Sequence, residues 1–158
     1  MVPKTNKPLN AREERVWRDL ARFLTVALKL LDEDLQRGAN ISLSEYVALS
    51  HLSEADRGHL RVRELAELAA ISGSHMTRIV GDLAKGGFVE KSRNPEDGRG
   101  IDVQITRAGL KRLRDAYPIH LASVRSRIMN QIEPGSLSCF EDVMAAIVKG
   151  ITTSPEQY

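Results

Sequence analysis

The sequence predicts a mainly α-helical fold that carries a small β-hairpin wing. Apolar residues recur at helical spacing over most of the 158 residues, which is typical of helices with one buried face. One stretch alternates instead, because Ile101, Val103 and Ile105 are apolar whereas Asp102 and Gln104 are polar. This alternation predicts a strand with the three isoleucine and valine side chains buried and the two polar side chains in water.

Two helices are predicted in the first third of the chain. Residues 11–37 contain no proline or glycine, and their apolar side chains share one helical face. These side chains are Val16, Leu20, Phe23, Leu24, Ala27, Leu30, Leu31 and Leu35. Ser42 and Glu45 then match a capping box, which predicts a second helix over residues 43–52. A polar connection, residues 53–58, follows it.

Residues 60–85 predict a helix-turn-helix. The first helix is short and has Val62, Leu65 and Leu68 on its apolar face, and the chain then turns at residues 70–73. The second helix, from about Ser74 to Lys85, has two different faces. Its inward side chains are expected to be Met76, Ile79, Val80 and Leu83, which leaves Ser74, Thr77, Arg78 and Gly81 outside. A small, hydrogen-bonding outer face with one arginine can enter the major groove of a duplex.

The last third of the chain predicts two further helices. The first begins after Thr106, has apolar positions up to Ile128, and contains Pro118, which is expected to kink it near Arg114. The second covers residues 137–151. The apolar faces of the outer helices are too extensive to be covered by one small helix-turn-helix. We therefore expect a two-fold dimer that buries them.

Composition limits the function further. No apolar run is long enough to span a membrane, and no secretion signal is present at the N-terminus, so a cytoplasmic protein is expected. The net charge is only +2, but residues 61–127 carry 13 basic and 8 acidic side chains, as a phosphate-binding region would. The sequence contains no nucleotide-binding or nucleophile motif, so we expect neither an enzyme nor a cofactor.

The cysteine and the histidines predict no metal site. Cys139 is the only cysteine and is expected to be an inert buried thiol, since a single cysteine can form neither an intrachain disulfide nor a cysteine-based zinc site. The four histidines are scattered along the chain without the spacing of zinc ligands.

Several of these segments resemble the MarR family of winged-helix transcriptional regulators. The matching residues are Arg63-Glu64-Leu65-Ala66-Glu67-Leu68, the run from Ile71 to Val80, Gly86-Gly87-Phe88-Val89-Glu90 and Asp97-Gly98-Arg99-Gly100. The last group is similar to the Asp-x-Arg signature of the family's wing. Two positions depart from the family pattern: Ala70 stands where many relatives have glycine, and Gly81 lies inside the second helix.

The resemblance implies a single MarR-like domain over residues 1–158. In it, residues 43–106 would form the winged helix-turn-helix that binds DNA, and residues 11–37 and 107–151 would supply the dimerisation helices. The implied function is that of a sequence-specific transcriptional regulator, most simply a repressor that binds a pseudo-palindromic operator as a homodimer. A small aromatic or phenolic ligand would release it. Its partners would then be double-stranded DNA, a second copy of the chain and that ligand, and no membrane.

Nine residues are candidates for contacts with DNA. Ser72 is expected to cap the second helix, and the free amides of Gly73 and Ser74 favour a phosphate. Thr77 and Arg78 are candidates for base edges, and His75 either touches phosphate or is an ordinary surface histidine. By resemblance, Arg99 would enter the minor groove and Asp97 would orient it, with Arg93 on the same hairpin.

The ligand site is the least specific prediction. Trp17, Tyr46 and His51 are expected to line a crevice, with Arg22 as the partner of an anion. An aromatic residue on an apolar helix face equally fits a core position. Two other functions stay open at this point: a winged-helix module that binds protein, and a DNA-binding protein that responds to no ligand.

Overall fold

The computed structural model describes residues 7–93 and 100–152. Within these residues the chain forms six α-helices and a three-stranded sheet. The elements are α1 Ala11–Ala39, α2 Leu43–Glu54, β1 His59–Arg61, α3 Val62–Leu68, α4 Gly73–Lys85, β2 Val89–Arg93, β3 Ile101–Ile105, α5 Arg107–Arg127 and α6 Leu137–Thr152. The predicted fold class, mainly helical with a small wing, is confirmed.

The chain is divided into two compact units. One comprises residues 26–123, and the other comprises residues 1–25 with 124–158. The first unit contains the helix-turn-helix, the sheet and the buried core. The second contains the N-terminal part of α1, the end of α5 and all of α6. A single domain over the whole chain stays a prediction.

Side-chain caps begin the first two helices. At α1, the side-chain oxygen of Asn10 accepts from the backbone N–H groups of Arg12 and Glu13, at 2.9 and 3.0 Å. At α2, the Ser42 hydroxyl accepts from the Glu45 N–H at 3.2 Å, and the Glu45 carboxylate accepts from the Ser42 N–H at 2.8 Å. The predicted capping box is therefore confirmed, and it satisfies backbone donors that a helix start leaves free.

The core of the first unit lies between α2, α3, α4 and the sheet. Its largest fully buried side chains come from every one of these elements and from the end of α1. They are Leu35, Leu49, Leu52, Leu65, Met76, Leu83, Val80 and Val103. The predicted inner face of the second motif helix is confirmed, because Met76, Ile79, Val80 and Leu83 are all buried. Burial of this face fixes the rotation of α4 about its axis and so decides which residues it exposes.

One predicted core position of the helix-turn-helix is wrong. Leu68 is 55% exposed, whereas Val62, Leu65 and Ala66 of the same helix are buried. The buried face continues through Ala69, which packs against the core. Leu68 is the last residue of α3. It precedes Ala69 in the chain but does not lie on the buried face, so its side chain points away from the core.

The sheet has the order β1-β3-β2 with both pairs antiparallel. Strand β1 was not predicted, and it makes β3 the central strand. This arrangement contradicts part of the predicted alternation, since Asp102 is only 6% exposed and Ile101 is 38% exposed. Asp102 lies opposite Arg61 of β1 and Ser92 of β2 in the two ladders, and its carboxylate lies 3.6 Å from the His59 ring nitrogen.

Helix α5 packs closely against Phe88 at its start. It continues through Pro118 as one uninterrupted helix. A Cβ atom on Gly109 would collide with the backbone carbonyl of Phe88, so this close approach requires glycine. Further along, the hydroxyl of Ser123 donates to the carboxylate of Asp34 at 2.5 Å. The predicted kink near Arg114 stays a prediction.

The second unit leaves most of its apolar side chains in water. Helix α6 has no buried residue among those described, although it carries one apolar face. Its exposed side chains include Leu137, Phe140, Val143, Ile147, Val148 and Ile151. Trp17 and Val16 of α1 are also more than half exposed, at 57% and 62%. Cys139 is exposed as well, which contradicts the predicted buried thiol, because no described neighbour covers α6 deeply enough to bury it.

A candidate nucleic-acid interface

The outer face of α4 begins at a capped helix terminus. Ser72 has an extended backbone, and its hydroxyl accepts from the backbone N–H of His75 at 3.3 Å, which confirms it as the N-cap. The hydroxyls of Ser72 and Ser74 lie 3.3 Å apart. Gly73 and Ser74 are exposed at this terminus. Their backbone amides lie in the first turn, where the helix dipole favours a negative group such as a phosphate.

The turn between α3 and α4 sets the direction of this helix. Ala70 has a φ of 53°, in the left-handed region. The backbone N–H of Ile71 donates to the carbonyl of Ala66 at 3.0 Å, and that of Ala70 donates to the carbonyl of Glu67 at 3.1 Å. These two hydrogen bonds end α3 at a left-handed residue, a position that is usually occupied by glycine at helix C-termini. The sequence had already marked Ala70 as a departure from the family pattern.

The predicted outer stripe faces solvent for most of its length. Ser74, Thr77 and Arg78 are exposed, and Gly81 is half-buried. His75 is also half-buried, on the side of the helix next to Arg78. The surface of α4 is therefore narrow and polar at its N-terminal end. Its side chains are short apart from Arg78, so a duplex can approach the helix closely.

Two hydrogen bonds restrict what this face can offer. The Thr77 hydroxyl donates to the Gly73 carbonyl at 2.8 Å, so its only proton is used within the helix and the side chain presents acceptor lone pairs and a methyl group. A guanidinium nitrogen of Arg78 donates to Nε2 of His75 at 2.9 Å. That second bond was not predicted, although the spacing of three residues places both side chains on one helical face.

The C-terminal half of the same helix carries one acid. The Asp82 carboxylate accepts a hydrogen bond from the Lys85 ammonium at 2.7 Å. This hydrogen bond, with the charges of Lys85 and more weakly of Arg78, holds the pKa of Asp82 below its ordinary value of 3.8. The carboxylate therefore stays ionised at neutral pH, and its charge is largely balanced by Lys85. In the N-terminal half of the outer face, the positive charge of Arg78 interacts with Asp82 only weakly, because Lys85 is the direct partner of that carboxylate.

The wing is described only at its base. Arg93 ends β2, is exposed, and pairs with Ile101 across the ladder. The predicted minor-groove residues Asp97 and Arg99 lie outside the described residues, which resume at Gly100. Their roles therefore stay predictions that depend on the family resemblance.

A groove separates α4 from the base of the wing. It has a volume of about 530 Å³ and is lined by residues of α3, the N-terminal part of α4 and the start of β3. Its lining includes Arg61 at the end of β1, Arg63 of α3, Gly73 and Thr77 of α4, and Ile101 of β3. The exposed position of Ile101 is explained by this groove, because its side chain forms part of the groove wall instead of the core. Sequence reasoning did not assign Arg61 and Arg63 to the site: Arg61 ends the unpredicted strand β1, and Arg63 lies on α3.

The residues predicted to line a ligand crevice fall in different surroundings. Trp17 lies along an apolar groove of α1 with Val16 and Leu20 and is largely exposed. Tyr46 is buried, and its ring centroid lies 4.5 Å from that of His120. Burial raises the pKa of Tyr46 above its ordinary value of 10.0, and Tyr117 and Glu54 add to that increase. His51 is half-buried on α2 and Arg22 is exposed on α1. Their joint role in binding a ligand stays a prediction.

The described part of the chain contains neither a cluster of metal-binding side chains nor a membrane-spanning helix. Within residues 7–93 and 100–152, no three histidine, cysteine or carboxylate side chains lie close enough together to hold a metal ion. Over the same residues, no helix combines the length and the apolar character needed to cross a membrane.

Comparison with known sequences agrees with the geometry of the helix-turn-helix. A model of the MarR family matches residues 39–100, which begin at the end of α1 and stop just before β3. A helix-turn-helix-type transcriptional regulator from Mycobacterium bovis is 29% identical over 134 residues, which cover 82% of this chain and 92% of that protein.

Solved structures extend the similarity to nearly the whole chain. The MarR family transcriptional regulator Sco3205 from Streptomyces coelicolor, crystallised in complex with DNA, is 31% identical with a TM-score of 0.87, covering 96% of this chain and 94% of that one. AbsC, a MarR family regulator from the same organism, is 24% identical with a TM-score of 0.83, covering 94% and 99% of the two chains, and supports the fold alone.

Proposed function

Because this chain belongs to the MarR family of DNA-binding transcriptional regulators, we propose that it is a repressor that binds a pseudo-palindromic operator as a homodimer. The family consists of transcription regulators and not of enzymes, in agreement with the prediction from the sequence. We further propose one MarR-like domain over residues 1–158 that acts in the cytoplasm.

The observation that carries this proposal is the division of α4 into two faces. Four of its side chains are buried in the core, and the exposed N-terminal half of the helix presents small polar residues and Arg78. A module that binds protein would gain more from exposed apolar residues at this place, because protein interfaces bury apolar and aromatic side chains at their centre. A short polar face with a guanidinium suits base edges and phosphates instead.

Exposed apolar side chains support the dimer. Those of α6 and of the N-terminal part of α1 lie in water in the single chain, and two-fold pairing would remove them from it. In a two-fold dimer the two α4 helices would enter successive major grooves about 34 Å apart, so the operator half-sites would lie about 10 base pairs apart.

The wing would extend the contact into the minor groove. We propose that Arg99 inserts there, that Asp97 orients its guanidinium through a charge-assisted hydrogen bond, and that Arg93 contacts the backbone beside it. The position of Arg93 at the exposed end of β2 supports the last of these roles. At the start of α4, Ser72, Gly73 and Ser74 would hold a phosphate, and Thr77 and Arg78 would contact bases.

The experiment that tests the operator proposal is selection of duplexes from a random pool, followed by titration of the enriched sequence. We expect a palindromic consensus, and an affinity that decreases steeply with salt because several phosphates are neutralised. Arg78→Ala should weaken specific binding by about 1 to 3 kcal/mol. The matched control is Lys29→Ala, which removes one exposed cation from α1, outside the helix-turn-helix. Enrichment of no sequence would contradict the proposal.

We also propose that a small aromatic anion releases the operator. Trp17, Tyr46 and His51 would line its site and Arg22 would pair with its charge. Titration calorimetry with salicylate-like compounds, followed by operator release at the same concentrations, tests this. Binding of such a compound without a change in operator affinity would contradict the regulatory role, since a ligand shifts an equilibrium only through different affinities for the two states.

A further inference from the structure

The contact between His75 and Arg78 distinguishes Arg78 from the other bonded cations of the helix-turn-helix. Arg63 and Lys85 form ion pairs with Glu67 and Asp82, at 2.9 and 2.7 Å. Each of those cations is thus neutralised by a carboxylate on its own helix. Arg78 donates instead to the ring nitrogen Nε2 of His75 at 2.9 Å. A ring nitrogen that accepts a hydrogen bond is unprotonated, so this partner holds the guanidinium without cancelling its charge.

The geometry also leaves the guanidinium able to bind a base. A guanidinium has five N–H donors, and the bond to His75 uses one of them. Whichever N–H is used, one edge with two parallel donors stays free, and such an edge pairs with the two acceptors of guanine. His75 is half-buried beside the exposed Arg78, so the ring has less freedom than the arginine that it holds.

We propose that His75 is a positioning residue that holds Arg78 in the conformation used for DNA. This proposal rests on the proposed function, because it requires Arg78 to contact the operator. An unrestrained arginine loses side-chain freedom when it binds, and part of that loss has already occurred in a side chain that is held in place. His75 thereby acts on the affinity through Arg78 and makes no contact of its own through Nε2.

A double-mutant cycle on operator binding tests the proposal. The variants are His75→Ala, Arg78→Ala and the two together, and each affinity is measured on the enriched operator at one salt concentration. We expect His75→Ala to weaken binding about three- to tenfold in the wild-type background. In the Arg78→Ala background the same change should have no effect, because the group that His75 positions is gone.

A conservative variant separates positioning from a structural role. The amide oxygen of the glutamine in His75→Gln can accept the same bond, so this variant should restore most of the affinity that His75→Ala loses. Thermal unfolding of each variant shows whether α4 stays folded, and Lys29→Ala again controls for the loss of one exposed positive charge.

The possible results differ clearly. An equal loss from His75→Ala in both backgrounds would mean that the ring contacts DNA or supports the helix by itself, and would overturn the proposal. No loss from His75→Ala in the wild-type background would overturn it too. If Arg78→Ala leaves the affinity unchanged, the failure belongs to the DNA contact assigned to Arg78 in the proposed function, and the positioning role fails with it.

Discussion

Ala70 holds a left-handed backbone conformation at the turn that orients α4, with a φ of 53°. This conformation places Cβ close to the following carbonyl and costs an L-residue about 1–2 kcal/mol, whereas glycine adopts it freely. We expect Ala70→Gly to raise the free energy of unfolding by about 1 kcal/mol. Denaturant unfolding monitored by circular dichroism measures this change.

Its matched control is the preceding residue. Ala69 has a φ of −81° and a ψ of −2°, in the right-handed region, and packs against the core. Ala69→Gly should therefore lower the free energy of unfolding by about 0.5–1 kcal/mol. Loss of stability in both variants would show that the turn does not strain Ala70.

His120 links stability to pH. Its ring packs on Tyr46, its Nδ1 atom is buried without a hydrogen-bond partner among residues 7–93 and 100–152, and burial lowers its pKa below the ordinary value of 6.5. The unfolded chain therefore takes up a proton at a higher pH than the folded chain does. The stability from this residue is complete above pH 6.5 and is lost as the pH falls below it.

The variant His120→Phe isolates this effect, because it keeps an aromatic ring against Tyr46 and removes the titrating group. Between pH 7 and pH 5 we expect the melting temperature of the wild type to decrease more than that of the variant. Equal decreases over this range would mean that the carboxylates and the other histidines account for the acid sensitivity.

At the residue scale, the sequence predicts the helix caps better than it predicts which side chains are buried. The caps at Ser42 and Ser72 follow from a few neighbouring residues, and both are observed. Leu68 was assigned to the core although it lies off the buried face at the end of α3, and Asp102 was assigned to water although strand β1 pairs beside it. Asp102 in particular pairs with Arg61 of β1, a strand that no periodic pattern in the sequence indicates.

At the scale of the element, α4 is weakened by a glycine within it. A Cβ on Gly81 would meet no atom within 4 Å, and glycine inside a helix costs about 0.8–1.0 kcal/mol relative to alanine. Gly81→Ala should therefore stabilise the protein by up to about 1 kcal/mol in denaturant unfolding. Gly109 of α5 is the opposite case. The added Cβ of Gly109→Ala would collide with the carbonyl of Phe88, so we expect this variant to be less stable than the wild type. A destabilised Gly81→Ala variant would contradict this account of α4.

The long elements were predicted closely and the shortest strand was missed. Helix α1 was predicted over residues 11–37 and is observed over Ala11–Ala39, because a periodic apolar face extends over its whole length. Strand β1 contains only His59, Leu60 and Arg61. Three residues are too few to show an alternating pattern, so its pairing with β3 becomes evident only in the folded chain.

At the scale of the whole molecule, assembly is expected to depend on α6. Val148 is 48% exposed and lies on the apolar face of this helix. We expect Val148→Asp to give a monomer that keeps its helical content and loses specific operator binding, because the charge would have to be buried without a partner in the dimer. Analytical ultracentrifugation and circular dichroism measure the two effects.

The control for this variant is Ser138→Asp, which adds the same charge at an exposed position away from the apolar groove of α6. It should leave the sedimentation coefficient and the operator affinity unchanged. Monomers produced equally by both variants would point to net charge and not to the apolar face.

If the chain acts as the proposed dimeric repressor, the uncovered face of α6 would tie gene control to protein abundance. In that dimer two chains would have to meet before the face leaves water, and the yield of pairs in a mostly unpaired population increases with the square of the chain concentration. The degree of silencing would therefore respond more than proportionally to synthesis and dilution. A cell that divides without replacing the regulator would release its target genes sooner than the halving of the protein alone suggests.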